Sequence, residues 1–422
     1  MKWVRLGDIG EFVRGNGLTK ADLHPANTDG TLIGAIHYGQ IHTYYNTYTT
    51  QTKSFVSPAL AQQLKKARHG DLIIACVSED VEGVCKSVAY LGNVDICIGG
   101  HTLAYTHKQN PKFIAYVFQT AYFASLKAKY ASGIKVIEVR LENLKTLKIP
   151  LPPLKEQHAI ATFLDHKCAK ITACIAKKER MLALLKEYKQ ALIFQVATKG
   201  LNPQERFKPS GVAWLGDIPG HWELVPLRKI FKARNEFNRD RDITLILSLV
   251  KDIGVLPYLE KGNIGNKAKT DLSQYQVVRS GDLVLNKMNA VIGSLGVSNY
   301  DGLVSPIYLV LFIQNKNLHS MRYYASLFAS KALQQSLGQY AYGIMKIRES
   351  IDFMSFQQML LPVPPLQEQH AIATFLDHRL GKLDTLIAKL QTQIQGLKDY
   401  KSALISEAVL GQIPLKAKHA KI

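Results

Sequence analysis

Cysteine is scarce in this 422-residue chain. The five present, Cys76, Cys85, Cys97, Cys168 and Cys174, all lie in its first half and form no CxxC pair. An odd, unduplicated set argues against a disulfide framework and against a zinc site. Long apolar runs are missing too, as is a charged-then-apolar leader, so a membrane span is excluded and a cytoplasmic location is expected. No GxxxxGK[ST] phosphate loop occurs, no GxGxxG follows a strand, and no HExxH pair appears. Pro-Pro occurs only at 152–153 and 364–365, so the Asn/Asp-Pro-Pro-aromatic sequence that a self-contained methylating enzyme would need is absent. Acidic residues are the last shortage. Against 53 Lys+Arg there are 33 Asp+Glu, a net charge of +20. The excess is spread over both halves, which favours a polyanionic partner, most often nucleic acid.

What the chain does contain is a duplication. Pro152 to His166 reads PPLKEQHAIATFLDH, and Pro364 to His378 reads PPLQEQHAIATFLDH, which is 14 of 15 identical at an offset of 212 residues. A short strand-like run precedes each copy (Lys148–Leu151 and Leu360–Val363). A pattern of apolar residues at alternating steps of four and three follows each. In the first copy the predicted seam is Ile160, Leu164, Lys167, Ile171, Cys174, Lys178, Met181, Leu185, Tyr188, Leu192 and Gln195. In the second it is Ile372, Leu376, Arg379, Leu383, Leu386, Leu390, Gln393, Leu397, Tyr400, Leu404 and Glu407. Five heptads of this kind predict coiled-coil helices of about forty residues, roughly 60 Å long. A single such helix is unstable in water, so each is expected to take the other as its partner.

Outside the copies the halves agree in outline and diverge in residues. Arg68–Ile74 parallels Arg279–Leu285, a helix over 113–129 parallels one over 318–337, and Ser132–Ile137 parallels Tyr342–Ile347. The expected division is a first mixed domain (1–151), a first connector helix (152–200), and a linker with a second mixed domain (201–363). A second connector (364–412) and a basic, disordered tail (413–422) follow. Trp214 and Trp222 should anchor the linker.

Candidate chemistry lies in the parts that are not repeated. In the first half, Arg14, Asn16, Lys20, His37, Tyr38, Gln40 and Lys135 could face a duplex. In the second, Arg234, Arg239, Arg241, Asn286, Lys287, Asn289 and Lys346 could. Arg, Asn and Gln can make paired contacts to base edges, whereas Lys and Tyr suit phosphates. For each residue taken alone, an ordinary surface or turn role is at least as good a reading. The repeated Glu156/His158 and Glu368/His370 stand two residues apart on a helix and point in different directions, so they form neither a metal pair nor an acid–base couple. They read as helix-start groups packing against the preceding domain or a partner. Asp165-His166 and Asp377-His378 read as helix-surface groups.

At PPLxEQHAIATFLDH followed by a long helix, twice, the chain resembles the DNA-specificity subunits of type I restriction–modification systems. Phe207–Pro219 with Trp222, and Gly293–Pro306, resemble further segments of that family. The resemblance implies an α+β fold, with two target recognition domains on two long antiparallel coiled-coil helices of pseudo-two-fold symmetry. It implies a bipartite DNA target and docking of two modification subunits, with Glu156, His158, Phe163, Glu368, His370 and Phe375 as candidate contacts. It also implies two restriction subunits. S-adenosylmethionine, and ATP with magnesium, would belong to those partners and not to this chain. The alternative is a coiled-coil scaffold that tethers two protein-binding domains.

Overall fold

The computed structural model describes residues 1–239, 242–251, 253–262, 268–269, 271–342 and 350–414. The expected disordered tail thus lies outside the described residues from 415 onward. The chain forms two compact units, Met1–Glu179 with Thr392–Ile422, and Arg180–Gln391. Each unit holds one mixed domain and part of both long helices, Leu154–Lys199 and Leu366–Val409.

In the first unit a five-stranded sheet runs in the order Gly10–Arg14, Thr102–His107, Leu72–Ala75, Ser87–Tyr90 and Tyr48–Thr49. A four-stranded sheet of Ser54–Val56, Ile33–Ile36, Ile96–Ile98 and Lys66–Ala67 packs beside it. Both faces of Leu72–Ala75 are buried, as its unbroken apolar run predicts. Ile36, Ile73, Val88, Ile98 and Ala104 join these sheets in one apolar cluster. Lys2–Arg5 pairs antiparallel with Lys148–Leu151, the strand that feeds the first long helix.

The second unit repeats the scheme. Glu223–Pro226 pairs with Leu360–Val363 ahead of the second long helix. A sheet of Phe231–Ala233, Tyr308–Ile313, Leu283–Asn286 and Leu295–Val297 packs on Trp222, Tyr323, Tyr324 and Phe328, all essentially buried. The turns at Gly70 (φ 91°) and Gly281 (φ 90°) share a left-handed backbone that favours glycine. The aspartate after each accepts a hydrogen bond from the backbone three residues earlier, Asp71 from Arg68 and Asp282 from Arg279.

Two expectations are corrected. The helix expected over 113–129 is two, Pro111–Val117 and Ala121–Ala128, because the Thr120 hydroxyl caps the Phe123 N–H at 3.1 Å and starts a new helix. Its counterpart is likewise split, into Met321–Phe328 and Lys331–Ser336. The heptad seam is also shifted at every second position. Leu164 and Ile171 are buried as expected, but Cys168 and Ile175 are buried where Lys167 and Cys174 were expected. Met181 and Tyr188 stay 45% and 57% exposed. The second helix shifts in the same way. Ile394 and Ala408 are buried, while Gln393, Tyr400 and Glu407 are exposed. Steps of three-four and four-three match these sequences almost equally well, and only packing selects between them.

Within the first unit, Thr172, Lys178 and Glu179 meet Lys401, Gln393 and Lys398 at 2.9, 2.8 and 3.0 Å. Low numbers on one helix meet high numbers on the other, so the segments run antiparallel. In the second unit Lys189 meets Asp384 at 2.5 Å.

Candidate nucleic-acid interface

In the first unit a ring cluster forms around Tyr38. His37, His101 and His42 lie 4.4, 5.2 and 6.3 Å from it between centroids. Helix Tyr38–Thr43 places it, because the His37 Nδ1 accepts the Gly39 N–H and Gln40 Oε1 accepts the His37 N–H. His42 Nε2 donates to the Val77 carbonyl at 3.0 Å, which fixes its tautomer. Burial holds the His37 pKa below the usual histidine range, and the nearby His101 and Lys20 charges push the same way. With Nδ1 already accepting, a neutral imidazole so placed carries its proton on Nε2 and can donate from there without a charge.

Arg14 leaves the same region. Its Nε donates to the Gly100 carbonyl and its Nη2 reaches Glu138 at 3.1 Å, with the side chain still over half exposed. Glu138 lies on strand Ile137–Val139, which pairs with Ala131–Ser132 across the turn at 133–136. Lys135 is on that turn and exposed, and Lys20 is exposed on its short 3-10 turn.

Asn16 and Gln40, expected to face a duplex, make hydrogen bonds to their own domain, Asn16 from an exposed position and Gln40 half-buried. Asn16 joins two loops, donating to the Gln63 carbonyl and accepting from the Lys65 N–H. Gln40 bonds Ser54 as well as His37.

The second unit does likewise with Arg234 and Asn286. Arg234 donates from Nε and Nη2 to both oxygens of Asp282, and from Nη1 to Glu236 at 2.6 Å. Its guanidinium also covers the Phe312 ring. These carboxylates raise its pKa further, while Arg234 and Arg279 lower that of Glu236. Asn286 is buried, and its side-chain oxygen accepts the Met288 N–H. Arg239 and Asn289 are exposed, and Lys287 is half-buried. Arg241 and Lys346 lie outside the described residues.

The repeated stretch is where each mixed domain meets its helix. Gln157 is buried, with Oε1 accepting the Asn110 N–H at 3.0 Å and Nε2 donating to the Pro152 carbonyl and to Gln109. Gln369 is its counterpart, accepting from the Ser320 N–H at 2.8 Å and donating to the Pro364 and Leu318 carbonyls. Asp165 takes Lys112 and Tyr116, and Asp377 takes Arg322. Of the candidate partner contacts, His158 bonds Asn110, and Glu368 accepts from Trp222 and His221 of its own unit. Glu156 and His370 are exposed. Phe163 and Phe375 are half-buried with Lys167 and Arg379 over their rings.

Sequence reasoning missed the two glutamines, although their identity in both copies was the available signal. It also missed His101 and His42 as ring partners of Tyr38. Among the described residues no group of three or more His, Cys, Asp or Glu could hold a metal ion, and no helix is long and apolar enough to cross a membrane.

Residues 1–182 and 219–396 match the family described as the type I restriction modification DNA specificity domain. The putative type I restriction enzyme MjaX specificity subunit of Methanocaldococcus jannaschii is 23% identical over 368 residues, 82% of this chain and 79% of its own length. The EcoKI specificity subunit of Escherichia coli is 20% identical over 383 residues, 87% of this chain and 80% of its own. A solved chain from work on complex assembly and conformational transition of the type I R-M system superposes with a TM-score of 0.69, at 16% identity over 98% of both chains. The HsdS subunit of Thermoanaerobacter tengcongensis superposes with a TM-score of 0.52, at 17% identity over 98% of this chain and 97% of its own.

Proposed function

The chain belongs to the type I restriction–modification DNA-specificity family, and from that premise we propose how its parts share the work. It is the DNA-specificity subunit of such a system. Each mixed domain reads one half of a bipartite site, and the two long helices join the readers. Modification subunits, two per chain, dock on the connector helices and the exposed groups at their starts, with restriction subunits added as a second pair. The chain itself is non-catalytic and carries no cofactor. Methyl transfer from S-adenosylmethionine belongs to the modification subunits, and ATP with magnesium to the restriction subunits, in the cytoplasm.

The observation that carries this reading is the repeated joint. Two domains whose sequences diverge outside the repeated stretch are seated on near-identical helix starts through equivalent buried glutamines. That arrangement suits two readers of different sequences with a common partner.

The test is single-molecule methylation mapping of cells that express this chain with its modification subunits. A bipartite motif is expected, and its two halves should respond separately. Lys20→Ala with Lys135→Ala should weaken methylation through contacts near one half-site, leaving the sequence of the other unchanged. Loss of discrimination in both halves at once would overturn independent reading. The purified chain should also bind duplex DNA with strong salt dependence. Binding indifferent to salt would favour the scaffold reading.

A further inference from the structure

The hairpin of Ala131–Ser132 and Ile137–Val139 has a tip whose composition does not suit a solvated loop. Ile134 is fully exposed, at 101% of its reference surface, and Val136 is 55% exposed. Exposed aliphatic residues are common singly, but one held out at the apex of a closed turn has no packing to offset it. The turn is closed by Gly133, whose φ of 134° belongs to glycine, and a Cβ there would stand 1.9 Å from the Val136 carbonyl oxygen. Ile134 is therefore displayed next to a backbone position that only glycine fits readily.

Along the hairpin cations outnumber acids, with Glu138 the one carboxylate between 129 and 140. Lys135 is adjacent to Ile134, Lys129 and Arg140 are exposed at the two ends of the hairpin, and Arg14 is bonded to Glu138 on one of its strands. The same hairpin pairs through Ile137 and Glu138 with Val77–Ser78, and the Val77 carbonyl holds His42 of the Tyr38 ring cluster. The apolar tip thus belongs to the surface that carries the candidate reading residues. The hairpin's excess of cations, with Lys135 beside the tip, suits the phosphates of a duplex better than an apolar protein patch. Apolar side chains of this size, delivered among cations, can enter a base step and partly unstack it.

We propose that Ile134 is a wedge that enters a base step of the half-site read by the first domain, with Lys135 gripping the adjacent phosphate. This rests on the DNA-specificity reading above. The wedge makes specificity depend on how easily that step opens, so flexible pyrimidine–purine steps are favoured at that place without a hydrogen bond to either base.

The test uses the full chain in complex with its modification subunits, on duplexes carrying the mapped target. 2-Aminopurine is placed in turn at each step other than the methylated adenine. The wild-type complex should brighten the probe several-fold at one or two steps of a single half-site. Ile134→Ala, an exposed substitution that disturbs no core, should abolish that signal and weaken cognate binding about tenfold, with an unchanged salt slope. Lys135→Ala should instead lower the salt slope by about one and keep the signal. If probes stay dark at every step while binding is tight and salt-dependent, the wedge is wrong and the DNA reading stands. Equal brightening by wild type and Ile134→Ala would also overturn the wedge. If Ile134→Ala instead releases the modification subunits, the tip is a protein contact and the proposal fails. Absence of salt-dependent binding in the wild type would overturn both.

Discussion

The side-chain oxygen of Gln157 accepts the backbone N–H of Asn110 at 3.0 Å, inside the first unit and shielded from water. Asn110 in turn caps the helix Pro111–Val117, its side-chain oxygen accepting the Phe113 N–H at 2.9 Å. One amide therefore ties the end of a recognition-domain strand, the start of a short helix and the start of a long one.

Gln157→Ala should destabilise the first unit by about 2–4 kcal/mol, because it strands a buried N–H and a buried carbonyl. Gln157→Glu should give little recovery, since a carboxylate cannot donate to the Pro152 carbonyl. Thermal unfolding of the full chain checks both, and a midpoint within a degree of wild type for either variant would contradict the joint. Gln369→Ala should behave alike in the second unit.

The two helix aspartates should differ in weight. Asp165 and Lys112 are only 21% and 28% exposed, and the Tyr116 hydroxyl adds a second bond at 2.8 Å. Asp377 and Arg322 are both near 60% exposed. Asp165→Ala should therefore cost about 1.5–3 kcal/mol, and Asp377→Ala less than about 1 kcal/mol. Urea midpoints showing equal losses would refute the difference.

Cys174 is exposed while Cys76, Cys85, Cys97 and Cys168 are buried. Burial also raises the Cys76 and Cys85 thiols to about 11 and about 12. A thiol reagent at neutral pH should label one cysteine rapidly in the native protein and all five after denaturation. Peptide mapping should place the rapid label at Cys174. Rapid labelling of Cys168 instead would restore the heptad register that the sequence suggested.

His107 is pushed down to about 4 by burial, with Asp71 opposing. An unfolded histidine titrates near 6.5. The folded state therefore binds fewer protons, and its stability, full above about pH 6.5, falls as pH drops toward 4, by up to about 3 kcal/mol. Urea unfolding of wild type and His107→Gln from pH 7.5 to 4.5 should show the wild type losing stability more steeply. Parallel curves would rule His107 out as the cause.

The duplication was legible because identity at 14 of 15 positions leaves no ambiguity, and the long helices because their apolar spacing persists for five heptads. The seam register was not. Cys174 and Ile175, or Leu386 and Ile387, are adjacent apolar pairs, and which member faces the other helix depends on the packed partner. Lys20, Lys135 and Arg239 are exposed, as their residue type suggests, whereas the pairing of Arg234 was not legible. The carboxylate that holds Arg234, Asp282, lies 48 residues away and is brought to it only by the sheet. The break at Thr120 could have been read from its capping side chain, had the apolar pattern not run across it.

Apart from one bond to Gln109, the contacts of Gln157 and Gln369 are with main-chain groups: the N–H of Asn110 or Ser320, and the carbonyls of Pro152, Pro364 and Leu318. Main-chain N–H and carbonyl groups are nearly the same whatever residue carries them. The joint therefore places almost no demand on the side chains that face a ligand. Mutations that alter the recognised sequence can accumulate in either domain without loosening its seat, and a lineage can acquire a new target without having to rebuild its assembly.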